Sequence, residues 1–190
     1  MPDKIDLLDY VKSLKNEGSF ALEAVRLDGN QVALVPFTTD SESVIVHFCA
    51  EAELVGYIAC NGPGCVLCRI GRKPETRFLL PVFLPASGTV GVLPVSLSCR
   101  PHALLPQLAS ILEAAKPVVV FVSREASKYS ISVVPLQEDM ADGGAAIAEF
   151  KKNYESGSVQ LASIFPRVPN EQLAGVQEIA RMLALKGGTS

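Results

Sequence analysis

The sequence predicts an α+β protein built on a mainly antiparallel sheet or small barrel. Segments rich in strand formers fill the middle of the chain. Helical periodicity appears near both ends and around residues 101–116. No regular strand–helix–strand alternation and no internal repeat accompanies them. The 190 residues suffice for one moderate domain with its own core, and 48% hydrophobic against 19% charged residues makes the chain globular. With no Trp and few aromatics, that core must be mostly aliphatic.

The elements follow in order. Ile5, Leu8, Val11 and Leu14 recur at helical spacing, with Asp3 as a cap and Gly18 as a stop. Alternating segments flank Asp28-Gly29-Asn30, which reads as a β-hairpin. "SVIVHFCA" is a strand that places Ile45, His47 and Cys49 on one face and Val46 and Phe48 on the other. Residues 76–96 are strand-like, but Pro81, Pro85 and Pro94 restrict them to edge or bent strands. Leu104, Leu105, Leu108, Ile111 and Leu112 form a helical stripe, with Pro101 in its first turn. Residues 117–136 read as a second hairpin turning near Glu125–Ser127. "GGAAIAEFKKNYESG" and "PNEQLAGVQEIARMLAL" read as two short helices. Residues 1–137 are therefore the expected β body, with a knuckle at 47–77, and residues 138–190 a linker and helical extension.

Charge is unevenly placed. The net charge is −3, which alone argues weakly against a nucleic-acid partner. Yet residues 69–128 hold eight Lys/Arg against three acids, while residues 1–68 hold four against ten. No apolar run reaches the roughly 18 residues a membrane helix needs, and the acidic, amphipathic start is unlike a signal peptide. A reducing, cytoplasmic setting with no membrane partner is expected. Clustered cysteines in such a compartment bind metal more often than they form disulfides.

Three of the five cysteines fall in "CNGPGCVLC". Cys65 and Cys68 form a Cys-x2-Cys half-site, in which a tight turn lets two thiolates converge on a zinc ion. Gly62, Pro63 and Gly64 let Cys60 fold back toward them. His47, twelve residues upstream on its strand, is the preferred fourth ligand, leaving room for a loop and a return strand. The rival set pairs Cys65 and Cys68 with Cys99 and His102, another two-residue-spaced half-site. Outside a ligand set, Cys49 and Cys99 read as small buried side chains, and each histidine as an ordinary strand or helix-start residue.

Catalysis is poorly supplied. Glu51 follows His47 by four residues, not the two of the zinc deaminases, and Gly64 rather than Pro precedes the Cys-x2-Cys. No Ser/His/Asp set and no phosphate-cradling glycine loop is present. Four protein ligands describe a closed, structural zinc site in a chain that is not an enzyme.

The run from His47 through Cys60, Cys65 and Cys68, followed by "RIGRKPETRFLLPVFL", resembles the zinc-containing core of the helix-destabilising single-stranded DNA-binding proteins of tailed phages. The resemblance covers roughly residues 20–135. It implies an OB-like barrel carrying a zinc subdomain, with His47, Cys60, Cys65 and Cys68 as ligands. It also implies single-stranded DNA as the partner, replication or recombination proteins as associates, and a bacterial or phage-infected cell as the setting. The residues themselves point the same way. Single strands need cations for phosphates and flat side chains for bases. Arg69, Arg72, Lys73 and Arg77 follow the knuckle; Arg100 and Lys116 flank the central helix. The second hairpin carries Arg124, Lys128 and Tyr129, and Tyr57 and Phe78 are further stacking candidates. RNA is an equally readable single strand. The alternative is a zinc-stabilised interaction or adaptor module whose C-terminal helices dock a partner.

Overall fold

The computed structural model describes residues 22–27, 29–51, 54–100, 102–114, 116–126, 128–136 and 143–187. The amphipathic helix expected within residues 3–18, and Pro101, lie outside them. The strands are β1 (Glu23–Ala24), β2 (Val32–Pro36), β3 (Glu42–Glu51), β4 (Leu54–Ala59), β5 (Glu75–Leu84), β6 (Thr89–Ser96), β7 (Val118–Glu125) and β8 (Lys128–Pro135). The helices are α1 (Val66–Arg69), α2 (Leu104–Glu113), α3 (Gly144–Glu155), α4 (Asn170–Gly175) and α5 (Gln177–Gly187), with a 3-10 turn at Leu161–Ile164. The protein is thus mixed α and β. No helix among the described residues is long and apolar enough to cross a membrane.

Two compact units share the chain, and neither is continuous in sequence. Among the described residues, one gathers Val44–Thr76 and the segment from Phe165 onward. The other holds the segment up to Ser43 and Arg77–Ile164.

In the second unit the strand order is β1-β6-β5-β2-β7-β8. The hairpin expected around Gly29 does not form. β2 pairs with β5 on one edge and β7 on the other, so neither edge is left for β1, which pairs in parallel with β6 instead. Of the edge or bent strands expected at the prolines, β5 is not an edge strand, since it pairs with β2 and with β6. Pro81 lies in β5 and Pro94 in β6, each beyond the end of one neighbouring ladder. The β2 ladder ends at Val82, one residue from Pro81. The β1 ladder on β6 reaches only Val92, two residues from Pro94. Pro85 sits in the turn that follows β5.

α2 forms where the Leu stripe places it. Leu104 and Leu108 are buried with Leu34, Leu93 and Val120, while Leu105, Ile111 and Leu112 pack around them. β7 and β8 make the second expected hairpin, closed at Glu125↔Lys128. A smaller apolar cluster of Val35, Phe83 and Val119 packs with Ile147 of α3.

The first unit is smaller. β3 and β4 pair from Val46↔Ala59 to Glu51↔Leu54. Ile58, Leu67, Leu173 and Ile179 share one core with Val168 and Cys49. The C-terminal periodic segment is two helices rather than one, because Val176 takes an extended conformation (φ −68°, ψ 126°) between them. The expected division at residue 137 and the observed units run along different lines: α3 belongs with the sheet of the second unit, and α4 and α5 with the knuckle. The cause is burial. The apolar side of α4 and α5 is covered by residues of the knuckle, far earlier in the chain.

Leu173 is fully buried in that core, so Leu173→Ala should destabilise the first unit by about 2–5 kcal/mol. Urea unfolding read separately in the two units by hydrogen exchange measures this. An equal loss of protection in both would assign Leu173 a wider role.

Candidate metal centre

His47 reaches the centre from β3. Its strand face is buried from His47 through Cys49 to Glu51. β4 returns the chain to Cys60, whose N–H donates to the Ile45 carbonyl at 2.8 Å. The loop then turns through two glycines with left-handed backbone, Gly62 (φ 72°) and Gly64 (φ 84°), a conformation costly to other residues. A bond from the Cys65 N–H to Gly62 O at 3.0 Å closes the turn. Cys65 starts α1, and the single turn that follows brings Cys68 around to it.

The four ligand atoms lie within 4.8 Å of one another. His47 Nε2 is 3.4 Å from Cys68 Sγ and 3.7 Å from Cys65 Sγ, and the Cys60 and Cys68 sulfurs are 3.8 Å apart. The three cysteines are free thiols. Such a group could hold a metal ion. Cys99 and His102 are not part of it, and Cys99, expected to be buried, is exposed. Cys49 is buried as expected, and burial pushes its thiol pKa up.

Electrostatics suit a cation. Burial, then the Arg72 charge, holds the His47 pKa below its usual value against an opposing effect of the Lys73 backbone. The ring is therefore neutral at pH 7, with a lone pair to give. Burial raises the Cys65 thiol, but the backbone amides of Cys68, Asn61 and Leu67 and the Cys60 thiol outweigh it, and its pKa is lowered. Desolvation and the neighbouring Cys60 and Cys65 sulfurs push Cys68 up to about 11. A bound cation would relieve this crowding of negative sulfur.

Two supports were not legible beforehand. Asn170, the first residue of α4, reaches the loop: its Oδ1 accepts from Asn61 Nδ2 (3.0 Å) and from the Val66 N–H (3.2 Å), and its Nδ2 donates to Gly64 O (3.3 Å). Asn61 Nδ2 also donates to Val168 O at 2.8 Å. Glu51 is buried; its Oε2 accepts from the Ala50 N–H and its Oε1 is ion-paired with Arg72 Nη2. Both carboxylate oxygens are occupied, and Glu51 is not among the clustered ligands.

The expected nucleic-acid residues fall in both units. In the first, Arg69 and Lys73 are exposed, whereas Arg72 is held by Glu51 and by donation from Nη1 to Phe48 O at 3.2 Å. Tyr57 is half-buried, edge-to-face with Phe48 at 5.2 Å and with Phe165 at 6.3 Å. Phe48 is 48% exposed and directly opposite Tyr57 in the ladder. The signal for it was the strand alternation, which put Phe48 on the face away from His47. In the second unit, Arg77 is half-buried on β5. Arg124 lies over the Tyr129 ring at 5.7 Å and donates to Ala126 O, and Lys128 is exposed beside them. Tyr129 and Phe78 both pack against the core of that unit. Comparison with protein families, with curated proteins and with solved structures finds no match.

Asn170→Ala removes three bonds from the ligand loop and should lower metal affinity about 10–100-fold. Competition with a chromophoric chelator measures it; unchanged affinity would show that the loop holds its own shape. Metal uptake should also release protons. Cys68, with its pKa near 11, is fully protonated at pH 7 and must give up nearly one proton per metal, so affinity rises with pH. Calorimetry in buffers of different ionisation enthalpy counts the protons, and a count of zero would exclude thiolate ligation.

Proposed function

We propose that the chain is a non-catalytic single-stranded DNA-binding protein with a structural zinc site. The observation that carries the proposal is the partly exposed face of the β3–β4 hairpin. Phe48 and Tyr57 stand side by side on it, and the hairpin's other face carries His47 into the ligand cluster. Bases stack on exposed rings of this kind, and alanine substitution at such positions costs about 1–3 kcal/mol per base. Exposed Arg69 and Lys73 in the same unit supply charge for phosphates, by local field rather than net charge.

Zinc suits the donor set. Three thiols and one imidazole are a common structural combination. With Zn–S bonds of about 2.3 Å, a tetrahedron has sulfur–sulfur edges of about 3.8 Å, which the Cys60–Cys68 separation matches. His47, Cys60, Cys65 and Cys68 would fill all four positions and leave none for a reacting water. An OB-like arrangement of the sheet accords with this reading. Arg77, Arg124, Lys128 and Tyr129 are a second set of candidate contacts in the other unit.

The alternative is a zinc-stabilised protein-interaction module. Val55, 64% exposed on the same hairpin face, favours it, since an aliphatic side chain offers nothing to stack on.

Titration of a labelled oligonucleotide across a salt series separates the two. Phe48→Ala should weaken binding by about 1–3 kcal/mol with little change in salt slope. Arg69→Ala with Lys73→Ala should flatten the slope by about 0.7 per lost phosphate contact. Arg72 is left intact because its ion pair is structural. A chain with no affinity at low salt is not a nucleic-acid binder, and the interaction module becomes the account.

A further inference from the structure

The outer edge of β8 carries an inference that is independent of the nucleic-acid reading. In the β7–β8 ladder the Leu136 N–H donates to Pro117 O, in line with the Val118↔Pro135 register. Even-numbered residues of β8 therefore direct their backbone groups at β7, and odd-numbered residues direct theirs away. The Tyr129 N–H agrees, since it turns outward to His102 O at 3.4 Å. Pro135, at the far end, has no N–H. Between these two stops, Ile131 and Val133 present outward N–H and C=O groups, and β8 has no pairing partner but β7 among the described residues.

An edge of this kind is normally protected by charge, by a bulge or by a cover. Residues 129–136 hold no charged side chain, and Val133 and Val134 are 43% and 39% exposed. We propose that the edge of β8 is a self-association surface, on which two copies of this chain join antiparallel about a two-fold axis at Ser132. In that register Ile131 of one copy bonds Val133 of the other, twice over, giving four backbone hydrogen bonds. Ser132 meets its own counterpart in the wide, non-bonded position between them. Lys128 falls opposite Leu136, so no like charges face each other. The ladder ends where it should: Tyr129 would face Pro135, and the one N–H is already used while the other does not exist. A self-complementary strand of this kind meets the requirement of an isologous interface, which an unrelated acidic or basic segment does not.

The test is the mass of the full metal-loaded chain by sedimentation across a wide concentration range. The wild-type chain should pass from one copy to two. Val133→Pro removes an outward donor without touching a β7 bond, and should raise the concentration of half-association about tenfold or more. Ser132→Lys and Ser132→Glu each place like charges across the axis at a Cα separation of about 4.5 Å; each alone should stay single, and the equimolar mixture should pair again. Circular dichroism of each variant checks that the fold is kept. A wild-type chain that stays single at every concentration overturns the proposal. So does a pair that survives Val133→Pro and both charge variants, or charge variants that fail to pair when mixed.

Discussion

The convergence of one imidazole and three sulfurs within 4.8 Å is the constraint on which the first unit depends. It ties the middle of β3, the end of β4 and the start of α1 to a single point. Each of these pieces is weak alone. A four-residue helix has no intrinsic stability, and a two-stranded hairpin is marginal in water. Joined at the ligand atoms, they enclose Cys65 and Leu67 and present Ile58 to the same interior. The apolar sides of α4 and α5 then complete a core that the local segment could not fill.

The charge around this point is balanced with few groups. Three thiolates and a neutral imidazole around a divalent ion would carry one net negative charge. Arg72 lies close enough to act on both His47 and Cys49, and it is itself neutralised by the buried Glu51. Removing either member of such a pair leaves an uncompensated charge in a partly dry site. Arg72 therefore has a structural task that competes with any role at the surface, and the same ion pair accompanies the burial of Glu51 on the strand that carries His47.

What the sequence disclosed, and what it hid, follows from the range of each signal. The ligands were legible because thiol spacing in a tight turn is local chemistry, and His47 because strand alternation fixes its face. The second hairpin and the α2 stripe were legible for similar reasons. The failures are all non-local. The turn signal at Gly29 was sound as local chemistry, but β2 spends both edges on strands far along the chain, so β1 goes to β6. Pro81 marked an edge or a bent strand, yet how far the β2 ladder runs is decided by register and not by composition. Asn170 reads as an ordinary helix-start residue until its amide is seen against Asn61, Val66 and Gly64. Phe48 was placed on the correct face, but whether that face meets solvent or another layer is a tertiary fact.

The bonds from Asn170 to the ligand loop set an order of events during synthesis. Cys68 leaves the ribosome about 100 residues before Asn170 does, an interval of about 5–20 s at ordinary translation rates. Throughout it the thiols stand complete, but the loop lacks its clamp and Leu173 and Ile179 are not yet available to cover Leu67. The larger part of the second unit, Arg77–Ile164, emerges in the same interval. The nascent chain thus passes through a stage in which its sheet can be finished while its cysteines are still uncovered, and capture of the ion at that stage would guard them until the last helices arrive.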